Sequence, residues 1–478
     1  MFSNLRNFSK IIIIIVAIAM VATGALMSFS FLQQTTSNRT PNNRTSAKNI
    51  AEVNGTNITE QQYFNVLRTQ SEQVDKLTPS QEIPFKHNVL NAIIEHELVM
   101  QKAEEMGIEP NVTDQDVEEQ IDEILSSNEM TEEEFVKYLS DNGNNLSQVK
   151  QQIRASLEEQ SLIDQVQEET YNDVSVSEEE IINKYEKVEL QVIIKNYSDD
   201  KDTARNSIEQ ALKELNDNKD FVEVANEYSD AKRVSLGMIG HDNNSLPADI
   251  ISRGFEMEVD EHSEIIEGQN AFYIINILSK KLAEGEEYQN SKEEIKNSIL
   301  QEKQDEAYSN WLASVKENSQ IKINDPVLKG YNALSNNDYE TAVSQLEQGV
   351  ESYPTPMTYV FLAQGYNGDG QTQEAQETFE KALEKYPDDW EVYYNYAVMM
   401  TDMEEVDKER AIGLLDKAAS LSEDEFMVNY QLYSAYSQLG ATEKAQEQIN
   451  KISEIQMGTG SSPESTENTD TDSSNDNE

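Results

Sequence analysis

The chain has 478 residues, 37 of them basic and 90 acidic, with no cysteine and a formal net charge of -53. This length calls for several domains rather than one core, and the lack of cysteine excludes disulfides, thiolate metal sites and a lipid-modified N-terminal cysteine. The charge argues against nucleic acid as a partner, and because the acids are spread along folded-looking segments they read as a solvated surface.

Residues 1–10 carry Arg6 and Lys10 and no acid, and residues 11–32 carry no charge at all. As a helix, that run reaches about 33 Å, enough to cross the hydrocarbon core of a bilayer. Thr23-Gly24-Ala25 offers only a weak cleavage site, inside the run, so the expectation is an uncleaved transmembrane anchor. The positive charges place the N-terminus in the cytoplasm and the bulk of the chain outside. Residues 33–47, rich in Ser, Thr and Asn, form a polar linker.

Residues 48–185 read as mostly helical. Asn54-Gly55 is a hairpin signal between two short apolar pieces. Thr59 with Gln62, Thr131 with Glu134 and Ser177 with Glu180 are capping boxes. The strongest helix is expected from about Pro84 to Met106, with Gly107 as its stop. The wording "VNGTNITEQQY", then "VLNAIIEHELVMQKAEEMGI", then "VSVSEEEIINKYEK", resembles the chaperone domain of the bacterial extracytoplasmic foldases of the SurA and PrsA type. His87 and His96 lie nine residues apart and form no metal-like cluster with His241 and His262. No cofactor is implied.

Residues 186–281 open and close on apolar, β-branched runs, Val188 to Lys195 and Ala271 to Leu278, expected as strands of one buried sheet. Between them lie two amphipathic helical patterns, a loop with Gly237 and Gly240, and a short helix from Pro247 to Phe255. This order, with "DFVEVANEYSD" and "GMIG", resembles the parvulin family of peptidyl-prolyl isomerases. In that family the first and last strands each carry a histidine at the base of a proline pocket. The resemblance places Gln191 and Tyr273 at those positions, and Ala231 where the family has a cysteine or aspartate. Leu246 and Ile250 stand for the methionine and phenylalanine of the pocket, and Phe255 is counted with them as substrate-binding. X-Pro rotation is slow but needs no covalent step. Two readings are therefore open: an isomerase in which Tyr273 and Gln191 hydrogen-bond in place of the histidines, or a degenerate site in which they merely preserve the sheet.

A helix over residues 287–316, with Ile295, Ile299, Leu300, Ala307, Trp311 and Leu312 as its apolar stripe, is expected to complete the chaperone domain, with Trp311 in the core. Over residues 325–456, Ala342, Ala375, Ala411 and Ala445 recur at spacings of about 34 residues, each followed four positions on by Leu346, Phe379, Leu415 or Ile449. This resembles about four tetratricopeptide repeats. Tyr359, Tyr366, Tyr393, Tyr394 and Tyr396 are candidate peptide contacts, weighed against simple packing between helices. The third repeat carries an insertion near Met403 to Asp407, and residues 457–478 read as a disordered acidic tail.

The expected fold class is multidomain α+β, with an N-terminal transmembrane helix, a mostly helical chaperone domain, a small parvulin-like α/β domain and an all-α solenoid. The expected function is a membrane-anchored foldase of the bacterial envelope acting on unfolded or nascent secreted polypeptides. Its repeats could recruit a secretion-channel or envelope protein. The alternatives are a working prolyl isomerase and an envelope scaffold built on the repeats.

Overall fold

The computed structural model describes residues 48–70, 77–197, 200–401 and 407–458. In chain order come β1 (Asn49–Val53), β2 (Thr56–Thr59), α1 (Glu60–Thr69), α2 (Pro79–Met106), α3 (Asp114–Ser127), α4 (Glu132–Asp141), α5 (Leu146–Thr170) and α6 (Glu178–Tyr185). Then follow β3 (Lys187–Asn196), α7 (Lys201–Asn216), α8 (Phe221–Tyr228), β4 (Ser235–Ile239), α9 (Ala248–Glu256), β5 (Ile266–Glu267), β6 (Ala271–Lys281) and α10 (Gly285–Glu317). Last come β7 (Ile321–Ile323) and the helices α11 (Pro326–Ser335), α12 (Tyr339–Ser352), α13 (Pro356–Gly368), α14 (Thr372–Lys385), α15 (Trp390–Thr401), α16 (Lys408–Leu421), α17 (Phe426–Gln438) and α18 (Thr442–Gly458). They divide into two compact units, one made of residues Met1–Asp164 with Val315–Glu478, the other of Gln165–Ser314.

In the first unit, β1 and β2 are joined by Asn54 and Gly55, both at positive φ (50° and 90°), the conformation a two-residue hairpin needs. The chain returns at β7 to pair antiparallel with the other edge of β1, giving the order β2-β1-β7. Capping boxes start α1 at Thr59 and α4 at Thr131, where the sequence places them. Helix α2 begins at Pro79, five residues before the expected start at Pro84, because Thr78 caps it: its backbone N–H donates to Gln81 Oε1 at 3.1 Å. Pro79 at the first helical position gives up an N–H that would be unpaired there anyway. Gly107, at φ 69°, ends the helix in the left-handed conformation.

The repeats are four helix pairs in the same unit, α11/α12, α13/α14, α15/α16 and α17/α18. Ala342, Ala375 and Ala411 are fully buried, as are Leu346, Phe379 and Leu415, so the small and large positions of the repeat form one continuous core. Glycine sets the closest approach. A Cβ on Gly330 of α11 would lie 2.5 Å from Leu346 Cγ of α12, and one on Gly349 would lie 2.9 Å from Val327 Cγ2. Tyr359 and Tyr396 are buried and Tyr366, Tyr393 and Tyr394 pack half-buried against the same core, which is the packing role rather than a free peptide surface.

The second unit is built on an antiparallel sheet of order β4-β3-β6-β5. Strand alternation gives it two apolar faces. Val188, Leu190 and Val192 with Tyr273, Ile275 and Ile277 face α9, while Ile193, Phe272 and Ile274 face α7 and α8. The helix that the sequence expects at 287–316 forms as α10. Its Tyr288 and Ile299 pack on Ile181 and Tyr185 of α6, which starts at the expected box on Ser177. Trp311 is half-buried, stacked on Tyr308 at 5.6 Å, rather than in the core.

The expected fold class is corrected in one part. Among the described residues no helix is long and apolar enough to cross a membrane, so the structure supports a mostly helical α+β chain with repeat helices and not one with an N-terminal transmembrane helix. The physical reason is plain in the longest helices, α2, α5 and α10. Each carries charged side chains on successive turns, because one side faces water. The run 11–32, its flanks 1–10 and 33–47, residues 402–406, which hold most of the expected insertion, and residues 459–478 lie outside the described residues. Single-pass topology and membrane contact, which rested on that run, have no support among the residues described.

Candidate peptide-binding and isomerase site

The residues aligned with the isomerase site fall into two groups. Tyr273 on β6 and Leu246, Ile250 and Ile251 at α9 share one apolar cluster, with Phe255, Leu236 and Ile266 packed half-buried around it. Helix α9 is held over the sheet at its end by Lys280, whose ammonium donates to the carbonyls of Phe255 at 2.6 Å and of Met257. A cation at the last turn satisfies carbonyls that have no helical partner. Phe255 stacks on His241, ring centroids 3.6 Å apart and nearly parallel, and His241 Nε2 lies 3.3 Å from Glu186 Oε2.

Tyr273 is 8% exposed, Leu246 5% and Ile250 0%. The side chains aligned with the proline pocket are therefore interior. The phenol of Tyr273 is pushed up by burial first, then by the Asp249 carboxylate and Tyr197, so near neutrality it is uncharged and able to donate. Space for a ring larger than imidazole comes from Gly268, where a Cβ would sit 2.7 Å from Tyr273 Cε2. Tyr197 holds that glycine in place, its hydroxyl donating to Gly268 O at 2.6 Å.

Gln191 is not part of this group. In the register it stands opposite Asn276, whereas Tyr273 stands opposite Ile194. Asn276 Nδ2 donates to Gln191 Oε1 at 3.0 Å. Since 273 and 276 point to opposite faces of β6, the hydrogen bond expected between Gln191 and Tyr273 does not form. Gln191 instead belongs to a polar row that crosses the sheet, Ser235, Gln191, Asn276 and His262 standing directly opposite one another.

Ala231 lies outside both groups, on the far side of β3. Its N–H donates to Ser229 Oγ, and that hydroxyl also accepts from Ile194 N at 3.0 Å. Asp230 fixes the segment, its N–H donating to Ile194 O and its carboxylate pairing with Lys195 at 2.7 Å. Leu236, Gly268, Tyr197 and Asn276 escaped the sequence reading. Only Leu236, beside the "GMIG" loop, carried a local signal, its place one residue before Gly237.

The fold and this site define a class, a helical chaperone-type domain carrying a parvulin-like sheet domain. Family models agree, matching a SurA-like N-terminal domain over residues 1–163, a PPIC-type PPIASE domain over 181–279 and a tetratricopeptide repeat over 356–399. The chain thus has the domain composition of the SurA/PrsA-type foldases, followed by tetratricopeptide repeats. Among similar proteins, the foldase protein PrsA of Clostridium botulinum strain Langeland is 25% identical over 296 residues, covering 57% of this chain and 87% of the relative. The chaperone SurA of Nitrosospira multiformis is 26% identical over 254 residues, covering 48% and 56%. The crystal structure of peptidylprolyl isomerase (PrsA) from Bacillus cereus aligns with 59% of this chain and 95% of its own at 21% identity and a TM-score of 0.27.

Proposed function

We propose that the protein is a foldase that works outside the cytoplasm on unfolded or nascent secreted polypeptides, with a parvulin-like domain that binds chain segments and has little isomerase activity. One observation carries the second half of this reading. Tyr273 packs among Leu246 and Ile250, all three under a tenth exposed, so the apolar positions aligned with the proline pocket are already filled from within the domain. What remains for a polypeptide is the half-buried rim of Leu236, Phe255 and Ile266. No histidine stands at the aligned positions Gln191 and Tyr273, but an imidazole does touch the rim, at His241 stacked on Phe255.

The second reading, a working isomerase, is favoured by Tyr273 itself. A neutral phenol on the apolar face can donate to an amide as it twists, and no covalent step is needed. The repeats support a further role in recruiting an envelope or secretion protein.

The deciding assay follows isomerisation of a proline peptide by the full chain and its Tyr273→Phe variant, beside aggregation of an unrelated unfolded protein. Delayed aggregation with no catalysis is the expected result. Catalysis by the wild type that drops in Tyr273→Phe would establish the isomerase instead. Neither catalysis nor delayed aggregation would remove the foldase reading.

A further inference from the structure

The first helices of the repeat pairs, α11, α13, α15 and α17, lie side by side and line the inner surface of the array. That surface is not empty in this chain. Helix α2 brings Ser80, Ile83 and His87 onto it, at positions i, i+3 and i+7 of one helical stripe, the spacing with which an amphipathic helix fills a groove.

Each anchor has its own receptor. Ile83, 4% exposed, joins the core cluster of the array with Val327, Met357 and Val360. His87 is 6% exposed, its Nε2 lies 3.0 Å from Asn332 Oδ1, and its ring meets the edge of Tyr331 at 5.2 Å. Tyr331 in turn meets Phe361 of α13 at 5.0 Å. Glu391, on α15, is 3% exposed and accepts from Ser80 N at 3.0 Å and Ser80 Oγ at 2.5 Å. Placed there, the Glu391 side chain satisfies the Ser80 N–H in the first turn of α2, near the positive end of the helix. With α2 in place Glu391 is buried, and the two Ser80 donors offset what burying that side chain costs. Beyond His87 the same helix serves its own domain: Gln101 Nε2 donates to Val53 O at 3.2 Å, and Gln101 Oε1 accepts from Asn54 Nδ2 at 2.9 Å in the hairpin turn.

We infer that the inner surface of the first three repeats is a receptor for the N-terminus of an amphipathic helix, filled in cis by α2. The ligand it takes presents a backbone N–H and a hydroxyl to Glu391 at its first turn, a branched apolar residue one turn on and a hydrogen-bonding aromatic ring one turn further. Its occupant is a segment of this chain. A helix of the same chemistry from outside binds only by displacing α2, which makes the contact an internal competitor for whatever the repeats recruit. This goes beyond the foldase reading and does not depend on the isomerase domain.

The test uses the full chain and a labelled synthetic peptide of residues 78–92. Ile83→Asp in the chain should release the first turns of α2 while leaving the receptor intact. Amide exchange over 79–88 should then rise by about tenfold or more, while the Asn54 hairpin and the second half of α2 keep their protection. The peptide should bind the Ile83→Asp chain, bind the wild type at least about tenfold more weakly, and fail on an Ile83→Asp/Glu391→Ala chain. His87→Ala, a milder change, should raise exchange over the same residues in the same direction and guards against unfolding of the domain by the aspartate. The inference is overturned if exchange over 79–88 is unchanged in both variants or rises throughout the unit in both. It is equally overturned if the peptide binds no chain, or binds wild type and Ile83→Asp alike.

Discussion

Gly268 and Tyr273 provide the sharpest test of how this domain holds a tyrosine where its relatives' resemblance would place histidine. A methyl group at Gly268 would stand 2.7 Å from Tyr273 Cε2 and 3.3 Å from Ala271 O, the first closer than any ordinary carbon contact. The backbone there is not in the left-handed region, so Gly268→Ala adds volume without conformational strain. The ring cannot swing freely, because it is packed in the cluster of Leu246 and Ile250. Overpacking of this kind costs about 1–3 kcal/mol. In a Tyr273→Ser background the clash is gone, and the same substitution should cost only a few tenths of a kcal/mol. The expected coupling is therefore about 1 kcal/mol or more, within the range that neighbouring residues show. It is measured as a double-mutant cycle, from urea-dependent exchange of the β3 and β6 amides in the full chain. Equal costs in the two backgrounds would refute the argument that Gly268 makes room for Tyr273.

Three further outcomes follow from the same geometry. Leu246→Ala should destabilise the sheet domain by about 2–5 kcal/mol, the cost of a cavity at a position 5% exposed, so any activity lost in it must be read beside an unfolding curve. Glu180 is held down to about 2, first by Lys303, then by the N–H and hydroxyl of Ser177. A carboxylate with a depressed folded pKa adds stability above its ordinary value near 4.5 and loses it as pH falls from there toward 2. Lys303→Met should flatten the loss of α6 protection over that acid window, and an unchanged profile would show the pairing to be idle. Gly330→Ala places a Cβ 2.5 Å from Leu346 Cγ, and about 1–3 kcal/mol of overpacking should appear as a lower thermal midpoint of the repeats.

Much of the architecture was legible because it rests on short-range rules. The Asn54-Gly55 turn, the boxes at Thr59, Thr131 and Ser177, the stop at Gly107 and the alternation of β3 and β6 are all local patterns, and the structure contains each of them. The 34-residue alanine period was equally clear, since the first three repeats bury the same small and large positions completely, while the fourth buries Ala445 and leaves Ile449 half-buried. Helix α2 starts before Pro84 because Thr78 and Pro79 already supply its cap and first helical position, leaving Pro84 inside the helix.

The site was harder to read. Tyr273 and Gln191 could be aligned from motif order, but motif order does not say which face of a strand a residue shares with its neighbours across the sheet. That depends on register, and one step of register moves a side chain to the other face. Hence Asn276, and not Tyr273, turned out to be the partner of Gln191.

By itself, then, the sequence determined the elements, their order and the repeat, because helix, strand and turn chemistry act over a few residues. Tertiary structure alone decided that Gly268 would accommodate Tyr273, that Leu246 and Ile250 would be interior, and that Glu391 would cap a helix 311 residues away. Such contacts leave no period in the chain. They are selected by the burial of whole surfaces, where a carboxylate is tolerated only if the fold brings it donors.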